Sequence, residues 1–400
     1  MIAVFLLPFP FRGYRAPHLF VFYRFLTTFY ERALFIVSED YLTPPEVWTA
    51  QGRWEMKEHN QLRLGYRIPS PATMQFQQYS FLDETLFDAL LQHHDGNPIA
   101  AFKRLLVERI PQLEVQFAKC LDDFADRGIE AILTWCNCPS LNAVARVRGI
   151  PVVNLELGPL RLPEYRSTAY LDFEGVNGNT EAERRYRESS FSYNGTIDQL
   201  RKFFILEADR SRRSPDHDIG VALQVEDDSN LVAYGHGFDN QSLIASSNLQ
   251  FPNQTVLVRP HPGSLFELKD GLTAVDRSSS SIDFVLRCSQ ILIVNSSVGL
   301  EALLQGVPVT ALGDCSFSHV VKAENEAERV SSLAYYLFAY LVPMDLIFDA
   351  SYLRMRLAKP SDTAILARHL AKYLGFGDST TLFDGATPAE SISIALQHAE

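Results

Sequence analysis

Short apolar runs alternate with amphipathic stretches along most of the chain. Met1 to Leu7 is continuously apolar and ends against Pro8 and Pro10, the aromatic-rich stretch His18 to Phe29 follows, and Ala33 to Ser38 is apolar again. That order predicts strand, helix, strand. Ala131 to Trp135, Ser140 to Arg148 and Pro151 to Leu155 repeat it. Apolar runs this short, joined by helical segments, predict parallel strands covered on both faces.

From about Phe173 to Pro215 the pattern breaks. Gly, Asn, Glu and Arg dominate there, with Arg210-Ser-Arg-Arg-Ser-Pro215 near the end, and the stretch reads as a linker between two domains. Candidate strands then return at Val221–Val225, Thr255–Pro260, Thr273–Val275, Gln290–Asn295 and Pro308–Gly313. Helices are expected at Ser281–Cys288 and Val298–Gln305. Residues from about Ala323 onward look mainly helical, broken at Pro343 and Pro360. The expected fold is α/β, two Rossmann-like doubly wound domains facing a cleft, with C-terminal helices. The expected boundaries are 1–210, 211–345 and 346–400, the last segment packing back on the first domain. Open sheets of this kind bind ligands beyond the carboxyl ends of their strands, so the chemistry is sought in the loops that follow strands.

Composition narrows the classes. A length of 400 residues suits two or three domains, and 46% hydrophobic with 21% charged residues excludes collagenous, disordered and low-complexity chains. Lys and Arg number 36 against 48 Asp and Glu, a net charge of -12, which argues against a general nucleic-acid binder. Any anionic ligand must be met by a local device. Five scattered cysteines (Cys120, Cys136, Cys138, Cys288, Cys315) do not make a disulfide framework and point to a reducing compartment. Cys136-Asn-Cys138 has one intervening residue and no second Cys pair, unlike a zinc knuckle. The N-terminus lacks a basic region and reads as a buried strand rather than a signal peptide. Leu333–Met344, at 12 residues, is too short to span a bilayer. Surface contact with a membrane stays open.

Four segments could carry chemistry. Ile291 to Thr310 describes a buried strand ending in Asn295-Ser296-Ser297, a helix beginning at once, and Gly306 ending it. The free N–H groups there, with two hydroxyls, form an anion seat, and Glu301, one turn beyond Ser297, can accept bonds from both hydroxyls of a ribose. Plain capping by Ser297 is the competing reading, although a capping box needs a spacing of three and here it is four. Arg259-Pro-His-Pro262 closes another strand and holds His261 on a restrained backbone, where it can donate to a phosphate with Arg259 beside it. A rigid turn with an incidental histidine would look the same. The loop Gln224-Val-Glu-Asp-Asp-Ser-Asn230 is a solvated turn, a metal site through Glu226 and Asp228, or the seat of a nucleophile or base. Glu156, in Asn154-Leu-Glu-Leu-Gly-Pro-Leu-Arg161, ends a strand of the first domain and faces the cleft or simply pairs with Arg161.

Taken in order, these segments resemble the β-Kdo glycosyltransferases of the WbbB type, glycosyltransferase family 99, with the KpsC and KpsS capsule Kdo transferases as relatives. The matching elements are Glu156-x-Gly158 with Arg161 and Tyr165, Gly175-Val-Asn177, Gln224-x-x-x-Asp228-Ser229, Arg259-Pro-His-Pro262, and Asn295-Ser-Ser-x-Gly299-Leu-Glu301 with Gly306-x-Pro308. They span roughly 160 residues. The resemblance implies a GT-B fold with an acceptor-side first domain and a CMP-sugar-binding second domain. It implies CMP-β-Kdo as donor, a lipid-linked glycan as acceptor in O-antigen or capsule synthesis, and no cofactor or metal. The implied donor contacts are Gln224, Arg259, His261, Asn295, Ser296, Ser297, Gly299 and Glu301. Asp228 becomes the nucleophile of a double displacement that retains the β configuration, with Asp227 as the alternative, while Glu156 exchanges a proton with it and His261 steadies the leaving phosphate. A cytoplasmic location at the inner face of a Gram-negative inner membrane, beside other glycosyltransferase modules and without nucleic acid, is implied as well. Two other functions fit the same chain: an isomerase resembling the UDP-GlcNAc 2-epimerases, and a nucleotide-sugar-binding module without catalysis.

Overall fold

The structure, a computed structural model, describes residues 1–9, 13–29, 32–206, 214–264, 268 and 274–399. The boundary expected between 210 and 211, most of the Arg210–Pro215 run and Thr273 lie outside the described residues. The chain divides into two compact units: Met1–Glu156 with Leu171–Gly175 and Asp345–Ala358, and Leu157–Tyr170 with Val176–Met344 and Lys359–Glu400. The C-terminal segment therefore contributes to both.

The first unit is built on β1 (Ile2–Phe5), β2 (Leu34–Val37), β3 (Gln78–Phe81), β4 (Ala131–Trp135) and β5 (Val152–Leu157). Their order is β3-β2-β1-β4-β5, and every pair is parallel. All residues of β1, β2 and β4 are buried, as the unbroken apolar runs require. The helix Leu19–Thr28 covers one face with Leu19, Val21, Phe22, Phe25 and Leu26. β3 was not expected: Gln-Tyr-Ser-Phe has polar residues at alternate positions and lies at the sheet edge, with its first three residues half-buried and Phe81 exposed.

The second unit contains β6 (Thr168–Asp172) up to Tyr170, β7 (His217–Ala222), β8 (Val256–Arg259), β9 (Ala274–Val275), β10 (Cys288–Ile293), β11 (Val309–Ala311) and β12 (Val342–Pro343). Its main sheet runs β9-β8-β7-β10-β11, again wholly parallel, while β12 pairs antiparallel with β6. Both units thus use the order third, second, first, fourth, fifth, and the α/β class expected from the pattern holds. The expected strand Val221–Val225 instead runs His217–Ala222: Cys288 pairs with His217, Arg287 O accepts from Asp216 N and His217 N, and the strand stops three residues short of Val225.

The stretch read as a linker is partly folded. Ala182–Glu188 and Ile197–Phe204 are helices, the second opened by a reciprocal capping box between Thr196 and Gln199. Leu200, Phe203 and Phe204 project from it into the core with Tyr336, Phe338 and Leu370. Its charged residues occupy the outer face, so a mixed composition concealed an amphipathic helix. The apolar run Leu333–Met344 is buried throughout: it ends the helix Glu326–Tyr335, passes through a π-helical turn at Tyr336–Tyr340 and enters β12. Among the described residues no helix is long and apolar enough to cross a membrane.

Candidate active site in the second unit

β7 and β10 are neighbours in the second sheet, with β8 beyond one and β11 beyond the other. Chain order reverses between them, which opens a crevice at their carboxyl ends. Gln224 stands two residues past the end of β7, and Asn295 two past the end of β10. Their side chains close the gap: Gln224 Nε2 donates to Asn295 Oδ1 at 3.0 Å, and Asn295 N donates to Gln224 Oε1 at 3.3 Å. Asn295 Nδ2 reaches Asn230 O at 2.9 Å, and Asn230 Nδ2 returns a bond to Asn295 O at 2.8 Å. Asn240 embraces the main chain of Gln224, accepting from its N at 3.0 Å and donating to its O at 2.7 Å. Gln224, Asn240 and Asn295 are all buried. Buried amides satisfied this fully fix one arrangement, since a lost partner strands a polar group at a cost of about 1–3 kcal/mol.

This lattice holds the acidic loop. Asp228 caps the helix Ser229–Tyr234, its Oδ1 accepting from Asn230 N at 2.8 Å and Leu231 N at 3.4 Å. Its Oδ2 has no hydrogen bond among the described residues. Asn177 Nδ2 donates to Ser229 Oγ at 3.1 Å, tying the next residue of the loop. Loss of hydration raises the Asp228 carboxyl above the usual aspartate range, against the helix N–H bonds and the positive fields of Arg161 and His261. Its side chain still meets solvent, which limits that rise. Glu226 turns elsewhere: its Oε1 accepts from Ser264 Oγ and, at 3.4 Å, from Asn240 Nδ2. No group of three His, Cys, Asp or Glu side chains arranged to hold a metal ion occurs among the described residues.

His261 follows β8. Its Nδ1 accepts from Gly263 N at 3.0 Å, so the neutral ring carries its proton on Nε2 and offers it outward. Partial loss of hydration lowers its pKa from the ordinary histidine value although the residue is exposed, with Arg161 and Arg259 aiding and Asp228 and Glu226 opposing. Four charged residues therefore act on one imidazole. Arg259 itself is anchored: Nη1 pairs with Asp276 and bonds Ser278 O at 3.2 Å and Ser278 Oγ at 3.1 Å.

Past β10, Ser296 Oγ accepts from Val298 N at 3.3 Å, while Ser297 occupies the cap position with no side-chain cap bond. The plain-capping reading thus suits Ser296 rather than Ser297. The helix that follows, Val298–Leu304, presses closely on β10; a Cβ at Gly299 would lie 2.4 Å from Ile293 Cδ1, so glycine there serves packing. Gly306 ends the helix at φ +71, as the sequence suggested. Glu301 is buried; its Oε2 accepts from Tyr165 OH at 3.0 Å and Ser281 Oγ at 2.5 Å. Oε1 has no partner among the described residues. Burial raises the Glu301 carboxyl, with the two hydroxyl donors pulling the other way.

The structure brings Gln224, Asn295 and Asp228 onto one lattice and sets His261 within electrostatic reach of Asp228. Glu156 belongs to the first unit, at the end of β5, where its Oε2 accepts from Cys136 Sγ at 3.4 Å. Sequence reasoning left Arg161, Asn230, Asn240 and Ser281 out of the candidate site. Arg161 anchors Nε on Gly158 O at 3.0 Å and acts on both Asp228 and His261. It already stood in the matched motif, which was the available signal. The amides gave none, because a buried asparagine and a solvated one look alike in sequence.

Residues 4–181 match the family model described as "Glycosyltransferase 99 family N-terminal domain", and residues 201–321 match the one described as "Capsule polysaccharide biosynthesis protein". No curated protein matches the chain. Among solved structures, the Thermosulfurimonas dismutans KpsC β-Kdo 2,7 transferase is 19% identical, with 60% of this chain and 90% of that chain covered at a TM-score of 0.39. The corresponding β-Kdo 2,4 transferase is 15% identical, with 58% and 88% covered and a TM-score of 0.39. A Methanocaldococcus jannaschii UDP-GlcNAc 2-epimerase is 11% identical, with 83% and 92% covered and a TM-score of 0.33. The first family model reaches across the 150 N-terminal residues in which no motif was legible. The chain carries a glycosyltransferase 99 family N-terminal domain followed by a capsule polysaccharide biosynthesis domain.

Proposed function

We propose that the protein transfers Kdo from CMP-β-Kdo to a glycan acceptor in O-antigen or capsule synthesis, with retention of the β configuration. The observation that carries this reading is Asp228, which has one oxygen held by helix N–H groups and the other without a partner among the described residues. The two family matches support the same class of chemistry.

In this mechanism Asp228 Oδ2 attacks the anomeric carbon, and the bond from that carbon to the phosphate oxygen breaks. The electron pair leaves with CMP. The Nε2–H of His261 donates to the departing phosphate, a role its fixed tautomer suits. The hydroxyls of Ser296 and Ser297 complete the phosphate seat, and Glu301 Oε1 accepts from the ribose. An acceptor hydroxyl then displaces the aspartyl ester, its proton passing to a base, and the second inversion restores the β configuration. Glu156 is given the proton exchange, as the resemblance implies. Gln224 and Asn295 hold the crevice open, Gly299 lets the helix approach, and Arg259 lends positive charge from its anchored position.

Calorimetric titration with CMP and UDP tests the donor. The proposal predicts that CMP binds at least about tenfold more tightly. Tight UDP binding without CMP binding would overturn it and favour an epimerase-like isomerase.

A further inference from the structure

The second unit has a groove of about 830 Å³ that the reaction above does not use. One wall is the loop Tyr193–Gly195 with the capped start of the helix Ile197–Phe204. The other is the helix Pro388–Ala399 and the turn before it. Ala389, Ser393 and Gln397 succeed one another at intervals of four, with Glu390 and Ile394 next to them in sequence, so one face of the helix lines the groove.

The lining has a definite chemistry. Among the described residues it contains no lysine, arginine or histidine, and it does contain two carboxylates, Asp384 and Glu390. An anionic ligand, whether sugar acid, phosphate, nucleic acid or acidic lipid headgroup, would be repelled and find no cation to meet it. Gln199 spends its Oε1 on Thr196 N at 2.9 Å and Tyr193 OH at 3.3 Å, which leaves its Nε2 as a donor towards the groove wall. Glu390 Oε2 accepts from Thr387 N and Oγ1, each at 2.8 Å, and its other oxygen is a spare acceptor. Amide donors, carboxylate acceptors and modest apolar ground from Leu382 and Ile394 alternate within one concavity. That mixture suits a ligand with many hydroxyls, no charge and apolar C–H faces.

We propose that this groove binds a neutral oligosaccharide segment, about three sugar units long, separately from the donor site. It goes beyond the transferase reading and stands on the groove alone, although a glycan-extending enzyme gains effective concentration by holding a chain at a second place.

The test uses the full chain without nucleotide and two neutral trisaccharides, chitotriose and maltotriose, read by saturation-transfer NMR and by titration. Ser393→Arg, on an exposed helix position, adds bulk and a cation to the groove; Gln397→Ala removes one amide. The expected result is millimolar or tighter binding of at least one trisaccharide, weakened about tenfold or more by Ser393→Arg and less by Gln397→Ala, with CMP titration unchanged in both. No signal for either sugar at about 10 mM would overturn the proposal. Sugar binding that Ser393→Arg leaves intact would also overturn it, as would a groove that responds only to a second protein chain. Because the sugar titration is run without CMP, its failure leaves the donor reading untouched, and failure of CMP binding leaves the groove result standing.

Discussion

The two units share a strand order and differ in what fills the crevice that order creates. In the first, β1 runs on into buried Leu6 and Leu7, and Tyr41 OH donates to Leu7 O at 3.1 Å. β4 ends at Trp135, whose ring stacks on Phe348 at 6.3 Å, and Cys136 turns the chain at φ 72. In the second, Gln224 and Asn295, each two residues past its strand, lock onto each other, whereas the first unit has Leu7 and the buried Asn137 at those places. Topology supplies a crevice twice. The residues just past the strands, Gln224 and Asn295 in one unit and Leu7 and Asn137 in the other, decide how it is filled, so a site is argued from its side chains rather than from its fold.

The largest effect that separates the two units should come from Asp228→Asn. It keeps the Oδ1 cap of the helix Ser229–Tyr234 and removes the nucleophile, so transfer should fall by about three orders of magnitude or more while CMP binding stays within about twofold. Steady-state transfer assays alongside CMP titration measure both. Transfer that survives Asp228→Asn would return the acidic loop to the status of a solvated turn. Glu156→Gln, in the first unit, should cost about a hundredfold in rate with CMP affinity unchanged, the size of a lost proton transfer. An unchanged rate would confine the chemistry to the second unit.

Stability changes should be smaller and should divide the units in the other direction. Asn295→Ala breaks bonds to Gln224 and Asn230 at a fully buried position and should destabilise by about 1–3 kcal/mol in urea unfolding. Cys136→Ser keeps a donor for Glu156 in the first unit and should cost less. The smallest effect concerns Glu301. Its carboxyl is raised in the folded state, so the protonated form favours folding: that stability is complete below the ordinary glutamate pKa and lost as pH rises through the raised value. Glu301→Gln should therefore raise neutral-pH stability, by up to about 1 kcal/mol, and the gain should vanish as pH falls. The same variant should weaken CMP binding if Oε1 holds the ribose.

Much of this architecture was legible because burial on both faces leaves a simple trace. β1, β4 and β8 were bounded within two residues by their apolar runs. β3 and the helix Ile197–Phe204 escaped because half of each faces solvent, so their polar residues resembled a loop. In the candidate site, strand-end positions pointed to His261, Asn295 and the acidic loop as a whole, while Gln224 and the preference for Asp228 came from the resemblance. The adjacent aspartates could not be separated by position; the proposed nucleophile is Asp228, whose Oδ1 caps a helix and whose Oδ2 has no hydrogen bond among the described residues. Arg259 illustrates what spacing cannot carry. Its expected role beside a phosphate takes no account of Asp276, 17 residues further on, with which it forms a buried pair. Long-range partners of this kind leave no periodic signature.

The claim that the second unit's acidic loop carries the nucleophile is tested most directly by intact-mass measurement after mixing the enzyme with CMP-Kdo in the absence of acceptor, followed by peptide mapping. The account predicts a Kdo-sized adduct, on the peptide containing Asp228, that disappears when acceptor is added and never forms in Asp228→Asn. No adduct in the wild type or in Glu156→Gln, or an adduct mapped to Asp227 or elsewhere, would contradict it.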